Sequence, residues 1–156
     1  MIAYKKAILE LARSLFATAE WPYIEDCLNT CLPQYSKTLV INSEVAAFVI
    51  VNETKAGHAF ISYCGVHPSH QGKGYGSKLL KETLTSIFQV DFLAARLYVD
   101  CWNTDALRLY TRLGFKQIGV ALVAGSDCLL LELTRHEYIG TAPAAKMRGQ
   151  EVAQAS

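Results

Sequence analysis

Three glycines at alternate positions, Gly72, Gly74 and Gly76, separate an apolar strand-like segment from a helical stripe, and this junction constrains the fold more than any other stretch. The segment before it, His58 to Val66, reads as a strand and is ended by Pro68. After it, Leu79, Leu80, Leu84, Ile87 and Phe88 recur at helical spacing and form one buried stripe. Glycine lets a backbone approach a ligand closely and take positive φ. Successive loop N–H groups can then converge on one anion, and a helix N-terminus adds the positive end of its dipole. Lys73 and Lys78 supply local positive charge. The expectation is an anion site of phosphate type.

The remaining segments give this junction its setting. Ala7, Ile8, Leu11, Leu15 and Phe16 mark an amphipathic helix over Tyr4 to Phe16, and a second short helix is expected from Tyr23 to Leu32, fenced by Pro22 and Pro33. Thr38 to Ile41 and Val45 to Val51 are β-branched and apolar, joined by a turn at Asn42-Ser43-Glu44. A turn at Asn52 to Gly57 then leads into the strand at His58, completing an antiparallel meander. Beyond the glycine loop and its helix, Phe92 to Asp100 is a strand and Thr104 to Leu113 a helix stopped by Gly114. Phe115 to Leu122 and Cys128 to Leu133 form a last pair of strands around Gly125-Ser126-Asp127. After Arg135 the chain is rich in Ala, Gly and Gln, so one domain over 1–135 and a loose tail over 136–156 are expected. The fold class is a mixed α/β (α+β) sheet with helices on its faces.

Composition narrows the function by exclusion. Fifteen basic and fourteen acidic side chains nearly cancel, which gives no general pull toward nucleic acid or an anionic membrane and no reason to expect a highly charged acceptor. No apolar run is long enough to span a membrane and no signal-peptide pattern opens the chain, so the expected address is cytoplasmic. Cys27, Cys31, Cys64, Cys101 and Cys128 are scattered and odd in number, as reduced thiols rather than a disulfide framework. No His or Cys set completes a metal site.

Three phosphate motifs compete for the loop. A Walker A loop needs four residues between Gly and Gly-Lys, a spacing that does not occur. A Rossmann loop needs G-x-G-x-x-G beside a strand and an acid ending the next strand. The sequence has G-x-G-x-G, set off from the strand by His67 to Gln71, with Asp100 at the next strand's end, so a dinucleotide reading stays open. Gln71-Gly72-Lys73-Gly74-Tyr75-Gly76 fits the third pattern, the Q/R-x-x-G-x-G/A pyrophosphate loop of the GNAT acetyltransferases. Asn103 to Phe115 likewise resembles that family's second signature, N-x-x-A-x-x-L-Y-x-x-x-G-F, at every fixed position. The resemblance spans roughly Thr38 to Leu133. The family opens with a strand that has no counterpart here.

The resemblance implies a GNAT acyl-CoA N-acyltransferase fold, with a central, mostly antiparallel sheet, and transfer of an acetyl group from acetyl-CoA to an amine without a metal. Gly65 and Val66, at a bulged strand end, would present N–H donors to the thioester carbonyl and pair with the pantetheine arm. Gln71, Gly72, Lys73, Gly74, Tyr75, Gly76 and Ser77 would hold the pyrophosphate. Asn103 would cap its helix, touch the cofactor, or both. Tyr110 takes the family's position for the acid that protonates the departing thiolate. Many relatives carry a glutamate base where this chain has Phe60, so no base is assigned. By alternation His58, Ser62 and Cys64 share the face of Phe60, and Trp102 is a candidate for the cleft. The acceptor is a primary amine of a small molecule or a protein N-terminus. A non-catalytic acyl-CoA sensor and a homodimer through the last hairpin are left open.

Overall fold

The computed structural model describes residues 3–54, 57–90 and 92–141, which leaves part of the Asn52 to Gly57 turn and residues 142–156 of the expected tail outside the described residues. Two helices open the chain, α1 (Lys5–Leu15) and α2 (Trp21–Thr30), linked through a single 3-10 turn at Thr18–Glu20. Pro22 lies inside the first turn of α2, where its missing N–H costs nothing, instead of standing before the helix as a fence. Strands β1 (Lys37–Ile41), β2 (Glu44–Glu53) and β3 (Ala59–Val66) form the expected meander. Asn42 and Ser43 both take positive φ, as a two-residue hairpin turn demands, and Glu44 already belongs to β2.

Helix α3 (Tyr75–Phe88) crosses from β3 to β4 (Ala94–Asp100), and α4 (Thr104–Leu113) follows and ends on Gly114 at φ 105°. The last hairpin is β5 (Lys116–Val123) and β6 (Ser126–Thr134). Its turn is Ala124-Gly125, both at positive φ, one position before the expected one. Where a loose tail was expected after Arg135, the chain forms α5 (Arg135–Thr141), and Tyr138 packs its ring against Phe88 at 5.1 Å.

The six strands are ordered β1-β2-β3-β4-β6-β5, and every neighbouring pair is antiparallel except β3 and β4. Two cores cover the sheet. One, with Leu80, Leu84 and Ile87 of α3, also takes in Tyr110 of α4, and the other packs α1 and α2 on Phe48 and Ile50. Ile118, Val120 and Leu122 stand exposed on the edge strand β5. Among the described residues no helix is long and apolar enough to cross a membrane.

Two features of β3 position the site. Its parallel pairing with β4 holds only at Ala59–Ala95 and Phe60–Arg96, after which the strands part. Its register against β2 shifts once, with Ile50 opposite Tyr63 but Val51 opposite Ile61, so Ser62 is an extra residue. A bulge bends its strand and reverses the facing of the residues beyond it. Ala59 and Ile61 therefore face the α3 side, as do Cys64 and Val66 beyond the bulge, while Tyr63 packs with α1 and α2. The expectation that Cys64 shares a face with Phe60 fails for this reason.

Candidate active site between the parted strands

Where β3 and β4 separate, a cavity of about 900 Å³ opens between the two helical layers. Gly65, Val66, Gln71, Gly76, Asn103 and Tyr110 line it. Gly72, Lys73, Gly74, Tyr75 and Ser77 do not, and continue from its rim along the start of α3. Gly72 and Gly74 sit at φ 79° and 82°, and a Cβ at either would meet nothing within 4 Å, so their backbone faces open space. Gly76 is needed for another reason, since a Cβ there would lie 3.1 Å from Val66 Cγ2 and hold α3 away from β3. Gly74 is the N-cap of α3 and has no side chain to cap it, and among the described residues no side chain bonds the free N–H groups of the first turn. Those donors and the helix dipole suit a phosphate oxygen. Gln71 ties the loop to the strand by donating Nε2 to Val66 O at 3.0 Å.

The strand end divides its work differently from expectation. His67 N–H bonds Ala46 O at 2.8 Å, and alternation along the ladder turns the Gly65 amide the same way, toward β2. The Cys64 and Val66 amides are left for the open edge. A Cβ on Gly65 would lie 2.6 Å from Leu15 Cδ1 and 3.0 Å from Phe48 Cε1, so this glycine lets the end of α1 close over the strand. The bulge itself lies at Ser62.

Tyr110 is buried, its ring edge-on to Phe115 and its hydroxyl 3.2 Å from Cys64 Sγ. Burial, and secondarily Cys64, raises the phenol well above its usual range, so it stays protonated and can donate. Burial raises the Cys64 thiol too, against the opposing bond from Tyr110. Asn103 Oδ1 accepts from Ala106 N–H at 3.2 Å, which makes it the N-cap of α4 while it lines the cavity. Phe60 packs its ring 5.2 Å from that of Tyr98, an apolar wall where relatives place their base.

The N-terminal elements build the opposite wall. Glu20, Asp26, Glu53, Asp100 and Asp105 line the cavity, and among the described residues no Lys, Arg or His does. Asp105 is paired with Arg108 at 3.2 Å, and Asp100 Oδ1 accepts from Ser126 Oγ at 2.5 Å and Cys128 Sγ at 3.5 Å. Burial pushes the Cys128 thiol up to about 11, with Asp100 and then Glu20 adding to it. A chain of balanced charge thus has an acidic cleft, although that balance gave no reason to expect a highly charged acceptor. Trp102 is 72% exposed and lies outside the cavity, as does His58. His67 and His70 both face Glu44, at 3.7 and 3.5 Å, a carboxylate that spacing alone did not bring to them.

Residues 6–115 match the Acetyltransferase (GNAT) family, and the chain belongs to it. It is an acyltransferase, and the dinucleotide alternative drops out. Compared by sequence with curated proteins, it matches none. Solved structures share its fold. Ard1 from Thermoplasma volcanium is 20% identical, with a TM-score of 0.72 over 86% of this chain and 95% of its own. The ribosomal-protein-S18-alanine N-acetyltransferase from Escherichia coli is 22% identical, with a TM-score of 0.69 over 83% and 86%. Arabidopsis thaliana Naa50, bound to the bisubstrate analogue CoA-Ac-MVNAL, is 19% identical, with a TM-score of 0.67 over 86% and 96%.

Proposed function

We propose that the protein is a cytoplasmic N-acetyltransferase that moves the acetyl group of acetyl-CoA to a primary amine arriving as a cation, on a small molecule or a protein N-terminus. The observation that carries this reading is the division of one cleft: glycine backbone and an uncapped helix at one end, and along the other wall carboxylates of which only Asp105 meets a cation among the described residues. An anionic donor suits the first and an ammonium group the second. The solved relatives include an alanine N-acetyltransferase and a complex with a CoA–peptide analogue, which supports a peptide amine as one acceptor class.

In this reading Gly72 to Ser77 hold the pyrophosphate, and the Cys64 and Val66 amides face the thioester carbonyl. Tyr110 gives its proton to the leaving thiolate, placed for it by Cys64. The phenol acts through position, because its pKa lies above that of a thiol. Phe60 in the usual base position favours a second reading, a domain that binds acyl-CoA without turnover. One experiment separates them: calorimetric titration with acetyl-CoA, then thiol release over a panel of primary amines, with Tyr110→Phe alongside. Binding, turnover, and a kcat about 100-fold lower in the variant at unchanged acetyl-CoA affinity support the enzyme. Binding with no thiol release supports the sensor, and no binding removes both.

A further inference from the structure

An ammonium group has no lone pair, so the reaction proposed above needs a proton acceptor, and Phe60 leaves none on the usual strand position. The bulge at Ser62 supplies a different route. By adding one residue it reverses the phase of alternation, so that Tyr63 faces α1 and α2 and Cys64 faces α3. Cys64 meets Tyr110 on one face. On the other, Tyr63 donates its hydroxyl to Glu20 Oε1 at 2.8 Å.

Glu20 ends the 3-10 turn between α1 and α2, where its N–H bonds Ala17 O at 2.9 Å. The Trp21 indole secures the same bend by donating to Phe16 O at 3.1 Å, and the Tyr63 ring packs edge-on to Phe16 at 5.1 Å. Of the carboxylates lining the cavity, Asp105 is paired with an arginine, Asp26 and Glu53 are exposed, and Asp100 is bound by a serine and a thiol. Glu20 is half-buried, held through one oxygen by a phenol, and meets no cation among the described residues. Burial, then Glu20 itself, raises the Tyr63 phenol far above its usual range, so Tyr63 remains a donor to that carboxylate.

Resting on the acetyltransferase reading, we propose that Glu20, held by Tyr63, takes the proton from the acceptor's ammonium group. The freed lone pair forms the C–N bond at the thioester carbon, and the C–S bond breaks as the oxyanion collapses. The CoA thiolate takes the Tyr110 proton, the second amine proton restores Tyr110, and the Glu20 proton passes to solvent. One proton leaves per acetyl group transferred. Titratable groups around Glu20 are Tyr23, Asp26 and Cys27 of α2, Tyr63 of β3, Asp100 of β4 and Cys128 of β6.

The test is thiol release from acetyl-CoA by the full chain, as a function of pH, over amines from putrescine to peptides with a free N-terminus. Glu20→Gln should lower kcat about 100-fold at neutral pH with acetyl-CoA affinity unchanged. Its rate should then climb about tenfold per pH unit up to the amine's own pKa, because only free amine reacts. Tyr63→Phe, which removes a positioning residue, should lower kcat less and retain an acid limb, moved toward higher pH by the loss of the donor to the carboxylate. Turnover by wild type with an identical kcat and acid limb in Glu20→Gln overturns the assignment alone, as does a rise confined to KM. Acetyl-CoA binding without thiol release from any amine overturns the enzymatic reading and this assignment with it.

Discussion

The two halves of the cleft are built from different materials. At the donor end the binding groups are backbone amides exposed by Gly72 and Gly74, and α3 begins with no side-chain cap. Across the cleft mouth, α4 begins in the ordinary way, with Asn103 accepting from Ala106. An uncapped helix start leaves its N–H donors for a ligand, whereas a capped one has already used one of them. On the acceptor wall, side chains from the 3-10 turn, α2, β2, β4 and α4 do the work, and what they share is charge. The donor end can therefore be damaged only by changing backbone freedom or adding bulk and charge. The acceptor wall is open to single isosteric replacements.

The largest effect should come from Gly74→Asp. Its Cβ enters open space and aspartate tolerates left-handed backbone better than most residues, so the fold should survive. The added charge where phosphate is expected should weaken acetyl-CoA binding at least about 100-fold by calorimetry, with a melting temperature near wild type. Undiminished affinity would break the contrast at its stronger side. Next, Asp100→Asn keeps an acceptor oxygen for Ser126 but removes a charge from the opposite wall. It should raise KM for a cationic amine about tenfold while acetyl-CoA affinity stays fixed. An unchanged KM would show that the acidic wall does not select the acceptor. The smallest effect belongs to Asn103→Ala, which should cost about 1 kcal/mol in urea unfolding through the lost cap. A loss of acetyl-CoA affinity as large as that of Gly74→Asp would mean that α4 holds the donor too.

This contrast also explains what could be read before any coordinates. The donor end is contiguous in sequence, and alternate glycines between a strand and a helix report their backbone geometry directly. Asn103, Tyr110 and Gly114 fall on one short helix and its caps, so their spacing carries their arrangement. The acceptor wall is different. Glu20 lies in a turn whose local sequence, Ala17-Thr18-Ala19-Glu20, has no periodic signature, and only the packing of α1 on β2 and β3 brings it to Tyr63. Net charge hides an acidic lining as long as the cations point elsewhere, as Arg13 and Lys78 do. The helix α5 escaped notice because seven residues are too few for a stripe, and it is held by Tyr138 on Phe88 instead.

Ser62 works on β3 as a one-letter insertion works on a reading frame. Every residue after it keeps its neighbours in sequence but exchanges its surroundings, so that odd-numbered residues face α3 before it and even-numbered ones after it. Were the same residues paired without the bulge, no side chain would alter, yet Tyr63 would point where Cys64 now does. Functional positions along such a strand are therefore inherited by phase, and a slip of register there redirects every side chain beyond it at once.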